Sequence, residues 1–214
     1  MKHAVIVTGL ALLAVAVSSE LAFGLYTRAS KSNSDWPCQQ ILVSHLSPAA
    51  MWTGPSVQGL DKTSDPQIDE LAANLAQRRL PIDQAKAQID EFAKSAGPDR
   101  KQKLTLLFAL LFDKLDGERA QVIGGLERFG RRQKEMANKI RAENEKLHEE
   151  EDKSVSPEQA NDPTSPVSVA AKQLQWDMRI FQDQHKTLAY VCEVPVLIEQ
   201  RLFALAREIQ SNID

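Results

Sequence analysis

The chain has 214 residues, 43 % of them apolar but only 6 % aromatic, which argues against one thick globular core. Its 26 basic and 29 acidic residues leave a formal charge of −3, so no bulk positive field favours nucleic acid as a partner. Two cysteines and four histidines bound any metal or thiol chemistry to a few positions.

The chain opens with a short polar start, Lys2-His3, and an apolar run from Ala4 to Val17. Ser18-Ser19-Glu20 follows, then Ala22-Phe23-Gly24. Residues 1–24 read as a secretory signal, with the small residues Ala22 and Gly24 at the −3 and −1 positions of a cleavage site. The alternative is an uncleaved anchor over residues 4–23, interrupted by Glu20 and marginal beside the roughly 20 apolar residues of a membrane span. Either implies export, and in an oxidising compartment Cys38 and Cys192 are expected to form one bridge. No CxxC motif supports redox chemistry.

Residues 25–64 form a polar leader and a tryptophan-rich flap. Trp36-Pro37-Cys38 precedes Ile41-Leu42-Val43, the one short stretch that could be a strand. Ser47-Pro48 carries a helix-start signature, cap then proline, with Met51 and Trp52 as its apolar side chains. The flap is expected to pack near Cys192 through Trp36 or Trp52. A ligand pocket lined by Trp36, Trp52 and His45 is the functional alternative.

Residues 65–214 read as a helical domain with a linker at 152–167. Asp65-Pro66 opens a helix carrying Ile68, Leu71, Ala72 and Leu75, with Arg78 and Arg79 in its last turn. Leu80-Pro81 restarts it, and Ile82, Ala85, Ile89, Phe92 and Ala93 make a second stripe up to Gly97-Pro98. Both helices are short and thinly apolar, so they need a surface to pack on. Asp99 caps the most apolar segment, whose stripe is Leu104, Leu107, Phe108, Leu111 and Leu115. Asp116-Gly117 is either a turn or a point the helix runs through. Beyond it a weak seam passes through Leu126, Phe129, Gln133, Met136, Ile140, Glu143 and Leu147. Gly117, Gly124, Gly125 and Gly130 fit either a close approach or a hinge.

The acidic run Glu149–Asp152 and the prolines at 157, 163 and 166 end this helix in a solvated linker. A heptad-spaced seam then runs from Ala171 to Ile213 through Leu174, Met178, Phe181, His185, Leu188, Cys192 and Pro195. Pro195 is expected to break or kink it, leaving a separate helix over 196–213. The architecture expected is all-α: an elongated helical bundle built on a long antiparallel hairpin, with a disulfide-tethered N-terminal flap.

No catalytic spacing is present: no GxSxG, HExxH, GxGxxG, phosphate loop or EF-hand loop. No cofactor, metal site or catalytic residue is therefore expected. His185 reads as a hydrogen-bonded core residue, and His148 with its acidic neighbours as a solvated helix end rather than a metal site. Arg128, Arg131, Arg132 and Lys134 make a basic patch that either pairs locally or meets an acidic partner. The function expected is a non-catalytic, exported binding or scaffold protein of the cell envelope, an accessory subunit or chaperone-like holdase. Trp36, Trp52, Arg128, Arg131 and Arg132 are its partner-binding candidates. The alternatives are a membrane-anchored subunit of an inner-membrane complex, and a ligand-binding protein or enzyme using the Trp36/Trp52 flap.

Overall fold

The computed structural model describes residues 35–63, 65–153, 156–158 and 162–213. The signal or anchor expected over residues 1–24 and the leader up to residue 34 lie outside them. The unit Asp35–Asp214 is all-helical, with no strand among the described residues. Ile41-Leu42-Val43 is irregular chain rather than strand; the carbonyl of Val43 accepts instead from the guanidinium of Arg119 at 2.6 Å.

Among the described residues the α-helices are, in order, α1 (Pro48–Met51), α2 (Pro66–Ala76), α3 (Ile82–Ser95), α4 (Arg100–Lys153) and α5 (Pro166–Ser211), with a 3-10 turn over Gly97–Asp99 leading into α4. The cap-then-proline signature at Asp65-Pro66 works as its chemistry requires, since the Asp65 carboxylate accepts from the N–H groups of Gln67 and Ile68 at 3.0 and 3.3 Å. Ser165-Pro166 does the same for α5, with Ser165 Oγ accepting from Ser168 N at 3.1 Å. Ser47 makes no side-chain cap bond, and α1 is a single turn. Helix α2 ends at Ala76, so Arg78 and Arg79 lie past its last turn rather than in it. Its C-terminal carbonyl is satisfied from across the fold: Arg201 on α5 donates from Nε and Nη2 to Leu75 O, and from Nη1 to Leu80 O.

Helices α4 and α5 form the antiparallel hairpin. At 1.5 Å per residue they are about 80 and 70 Å long. Asp116-Gly117 is not a turn; α4 runs straight through it. Helix α2 packs on α4 and α3 on α5, so the two short helices clasp the base of the hairpin. The core sits there. Leu104 to Phe112 are buried on every side of α4, as a helix segment apolar all round must be; its one polar member, Thr105, donates its hydroxyl to Lys101 O at 2.7 Å. Trp52 stacks on Phe108 with ring centroids 4.2 Å apart, and Ile198, Leu202, Leu205 and Ile209 close the core from α5.

Pro195 does not break α5, which continues to Ser211. A proline inside a helix removes one N–H and costs about 3 kcal/mol. The flanking turns are anchored by the bridge at Cys192 on one side and the buried stripe from Ile198 on the other. The flap adds a tie on the same turn, where Gln40 Nε2 donates to Cys192 O at 2.6 Å, next to the Val191 carbonyl that Pro195 leaves without its helical donor.

Away from the base the seam becomes polar. Gln133 pairs with Gln184. Asp177 is buried and accepts from Lys139 and Gln173, each at 2.7 Å. Met178 and His185, expected on the seam, are exposed instead. The helix is rotated so that Asp177 and Gln184 face α4, where each meets a hydrogen-bonding partner. His185 is thus not a core residue; its ring stacks at 6.4 Å from that of Phe181. Among the described residues, no helix is long and apolar enough to cross a membrane.

Candidate functional site

The flap, residues 35–47, is laid along one flank of the hairpin and tied at several points. The Cys38–Cys192 bridge is present, with Cα atoms 5.7 Å apart, inside the range a disulfide spans. Trp36 Nε1 donates to Gln40 O at 2.6 Å, which folds the flap into a compact turn beside the bridge. Asp116 on α4 accepts from Leu46 N at 2.7 Å and faces His45 Nδ1 at 2.8 Å. Asp35 lies between Lys134 at 3.1 Å and Arg131 at 3.4 Å. The hydrogen bond from Lys134 holds the Asp35 carboxyl below its ordinary range, and Arg131 adds to that effect.

Gly130 permits this docking. A Cβ there would lie 1.9 Å from Asp35 O. At this glycine the sequence left a close approach and a hinge open; the structure selects close approach, and the partner is the flap backbone.

The two candidate tryptophans do not share a site. Trp52 is in the base core on Phe108, with its Nε1 bonded to Pro55 O at 2.7 Å. Trp36 is half-buried and lines a cavity of about 160 Å³ with Arg119, Ile123, Pro195 and Glu199. His45 is exposed. The buried Arg119 guanidinium meets the Glu199 carboxylate at 3.7 Å and Val43 O at 2.6 Å, so its role there is to pin the flap. The cavity is below the roughly 300–1,000 Å³ of a small-molecule site.

The basic patch divides between the two flanks. Arg131 and Lys134 face the flap. Arg128 and Arg132 lie away from it, are exposed, and have no ion-pair partner among the described residues. The Arg128 guanidinium folds back along the helix, 3.3 Å from where a Gly124 Cβ would be. Glycine at 124 and 125 thus leaves room for a cation and keeps the neighbouring surface low.

That surface is an apolar groove between α4 and α5, on the flank opposite the flap. Val122, Gly125, Leu126 and Phe129 form one wall, with Arg132 at the rim. Thr187, Leu188 and Val191 form the other, around a volume of about 310 Å³. Helical geometry sets the two flanks: at about 100° per residue, Gly130, Arg131 and Lys134 turn one way from the seam and Val122, Gly125 and Phe129 the other. The sequence reading passed over Phe129 and Val191 as groove residues. The adjacent glycines 124 and 125 inside a helix were the available signal.

The arrangement carries no acid–base pair, nucleophile or metal cage on this flank. His148 meets Glu151 at 3.1 Å within its own helix, and no group of three metal-ligating side chains occurs among the described residues. What the geometry can do is hold an apolar surface beside two guanidinium groups. No protein-family model matches the chain, and neither does any curated protein or solved structure.

Proposed function

We propose that this is an exported, non-catalytic binding protein of the cell envelope, whose hairpin presents its uncovered flank to a protein partner. The observation that carries this reading is the groove of Val122, Leu126, Phe129, Leu188 and Val191, left open while the opposite flank is sealed by the flap. An apolar groove between two helices suits an amphipathic helix, and the cation at its rim, Arg132, with Arg128 beside Gly125, favours an acidic one. The Cys38–Cys192 bridge supports export, because such a bridge persists in an oxidising compartment. Attachment through residues 4–23 would keep the same domain at the membrane surface.

Site-specific photo-crosslinking tests the binding reading. A photoreactive side chain at Val191 is expected to give a discrete adduct in intact cells, and Gly125→Met, which fills the groove, should abolish it. Equal adducts from Val191 and from the exposed flap residue Gln39, or adducts unchanged by Gly125→Met, would overturn it. A reporter active only outside the cytoplasm, fused after residue 30, tests export; activity confined to the cytoplasm would refute it.

A further inference from the structure

Helix α5 carries a second apolar stripe on the face turned away from α4. Val169, Trp176, Tyr190 and Leu197 are 56, 61, 79 and 51 % exposed. They fall at multiples of seven residues, the same 3.5-residue period as Leu174, Asp177, Phe181, Gln184 and Leu188 on the face buried toward α4, so they keep to one line. Ile180 and Val194, half-buried, lie alongside. Scattered exposed apolar side chains need no explanation, but an ordered line of them with two large aromatics at its inner positions does.

The stripe is symmetric about Asp183, its one polar member at that spacing. Trp176 and Tyr190 are equidistant from it, and so are Val169 and Leu197. We propose that two copies of this chain pair antiparallel along α5, about a two-fold axis at Asp183. A two-fold interface must be self-complementary, and this stripe is. Trp176 of one copy would meet Tyr190 of the other, and Val169 would meet Leu197. The contact line from Val169 to Leu197 is about 42 Å long.

Charge fits the same arrangement. Lys172 of one copy comes nearly level with Glu193 of the other. The two Asp183 carboxylates meet at the axis among Arg179 and Lys186 of both copies; within one chain Lys186 Nζ already holds Asp183 at 3.0 Å. The area is adequate. At roughly 150–250 Å² per aromatic side chain, Trp176 and Tyr190 leave on the order of 300 Å² uncovered per copy. The aliphatic members and flanking stems bring this toward the roughly 800 Å² a side of a standard interface. Phe129, Leu188 and Val191 of the groove are not among the residues this pairing uses, although the groove's Thr187 adjoins the stripe between Ile180 and Val194, so the pairing is argued independently of the partner-binding reading.

Sedimentation velocity on the disulfide-bonded protein, with cysteine crosslinking, tests the pairing. The unsubstituted protein should sediment as a dimer. Trp176→Ala with Tyr190→Ala should weaken association at least tenfold while circular dichroism stays unchanged, because both side chains are exposed. The protein's own cysteines are both bridged, so Asp183→Cys adds a single free thiol at the axis and should crosslink to itself under mild oxidation. Val169→Cys alone should not, whereas Val169→Cys mixed with Leu197→Cys should. A monomer at all concentrations, a dimer indifferent to the aromatic substitutions, or self-crosslinking of Val169→Cys, which reports parallel pairing, would each overturn the proposal.

Discussion

Alanine substitution at two glycines of the same helix should change stability in opposite directions. Glycine in a helix interior is about 1 kcal/mol less favourable than alanine. At Gly117 an added Cβ meets nothing within 4 Å, so Gly117→Ala should stabilise by about that amount. At Gly130 the added Cβ would lie 1.9 Å from Asp35 O, against a floor of 3.0 Å for such contacts, so the flap backbone must retreat by about 1 Å. Retreat loosens the pairs of Asp35 with Arg131 and Lys134 and lifts Pro37, 3.4 Å away, with the packing of Trp36; over-filling a close contact in this way costs about 2 kcal/mol. The flap cannot simply swing clear, because Cys38 holds it to α5. Gly130→Ala should therefore be destabilising by about 1 kcal/mol, some 2 kcal/mol below Gly117→Ala. At this chain length that is roughly 6 °C in Tm. Thermal melts followed by circular dichroism measure it. In a Cys38→Ser/Cys192→Ser background the flap can lift freely, and the difference between the two alanines should shrink toward zero. If Gly130→Ala raises Tm as much as Gly117→Ala in the bridged protein, the close approach of flap and helix is wrong.

Removing the bridge alone, by Cys192→Ser, opens a loop spanning 154 residues. The cost should be up to about 5 kcal/mol, with faster proteolysis between Asp35 and Trp52 and little loss of helix signal. Phe108→Ala removes a fully buried ring stacked on Trp52 and should cost about 3–5 kcal/mol in urea unfolding; a loss below 1 kcal/mol would contradict the assigned core. The polar layer of the hairpin should give stability two opposing dependences on pH. The hydrogen bond from Lys139, then that from Gln173, holds Asp177 below its ordinary range, so its contribution is lost as pH falls through its lowered folded value. Burial, then the neighbouring Asp177, pushes Glu143 up, so its contribution is present at low pH and lost as pH rises above the ordinary glutamate value through the raised one. Tm measured across this range should lose its acid limb in Asp177→Asn and its opposite limb in Glu143→Gln, and unchanged profiles would show that these carboxylates do not titrate against the fold.

Much of the helical framework was legible because its signals are local. Asp65-Pro66 marks a helix start by supplying an acceptor and omitting a useless N–H, and this needs no knowledge of the rest of the chain. The all-apolar segment around Phe108 could only be a buried helix. The cysteines could be paired in advance because the chain holds only two, and the expected export would make their bridging favourable. Where local rules left two readings open or misled, distant contacts decided. Asp116-Gly117 could be a turn or a point the helix runs through, and buried neighbours on both sides carry α4 through it. Pro195 should stop a helix, yet the bridge, Gln40 and the core beyond hold its two halves in one rod.

The candidate site was less legible than the fold. The basic patch was visible as a cluster, but only the docked flap separates Arg131, which meets Asp35, from Arg132, which lines the groove, and from Arg128, which folds back along the helix over Gly124. The buried place of Asp177 could not be read from periodicity, because a carboxylate on a seam is tolerable only where a cation such as Lys139 arrives from the other helix. By itself, the sequence determined where α2 begins, which segment forms the core and which cysteines join, since propensity, capping and cysteine count act along the chain. Only the tertiary structure decided which flank of the hairpin is sealed and which stays open, because that depends on where a flap from residue 35 meets a glycine at 130, and no local pattern encodes a contact across that separation.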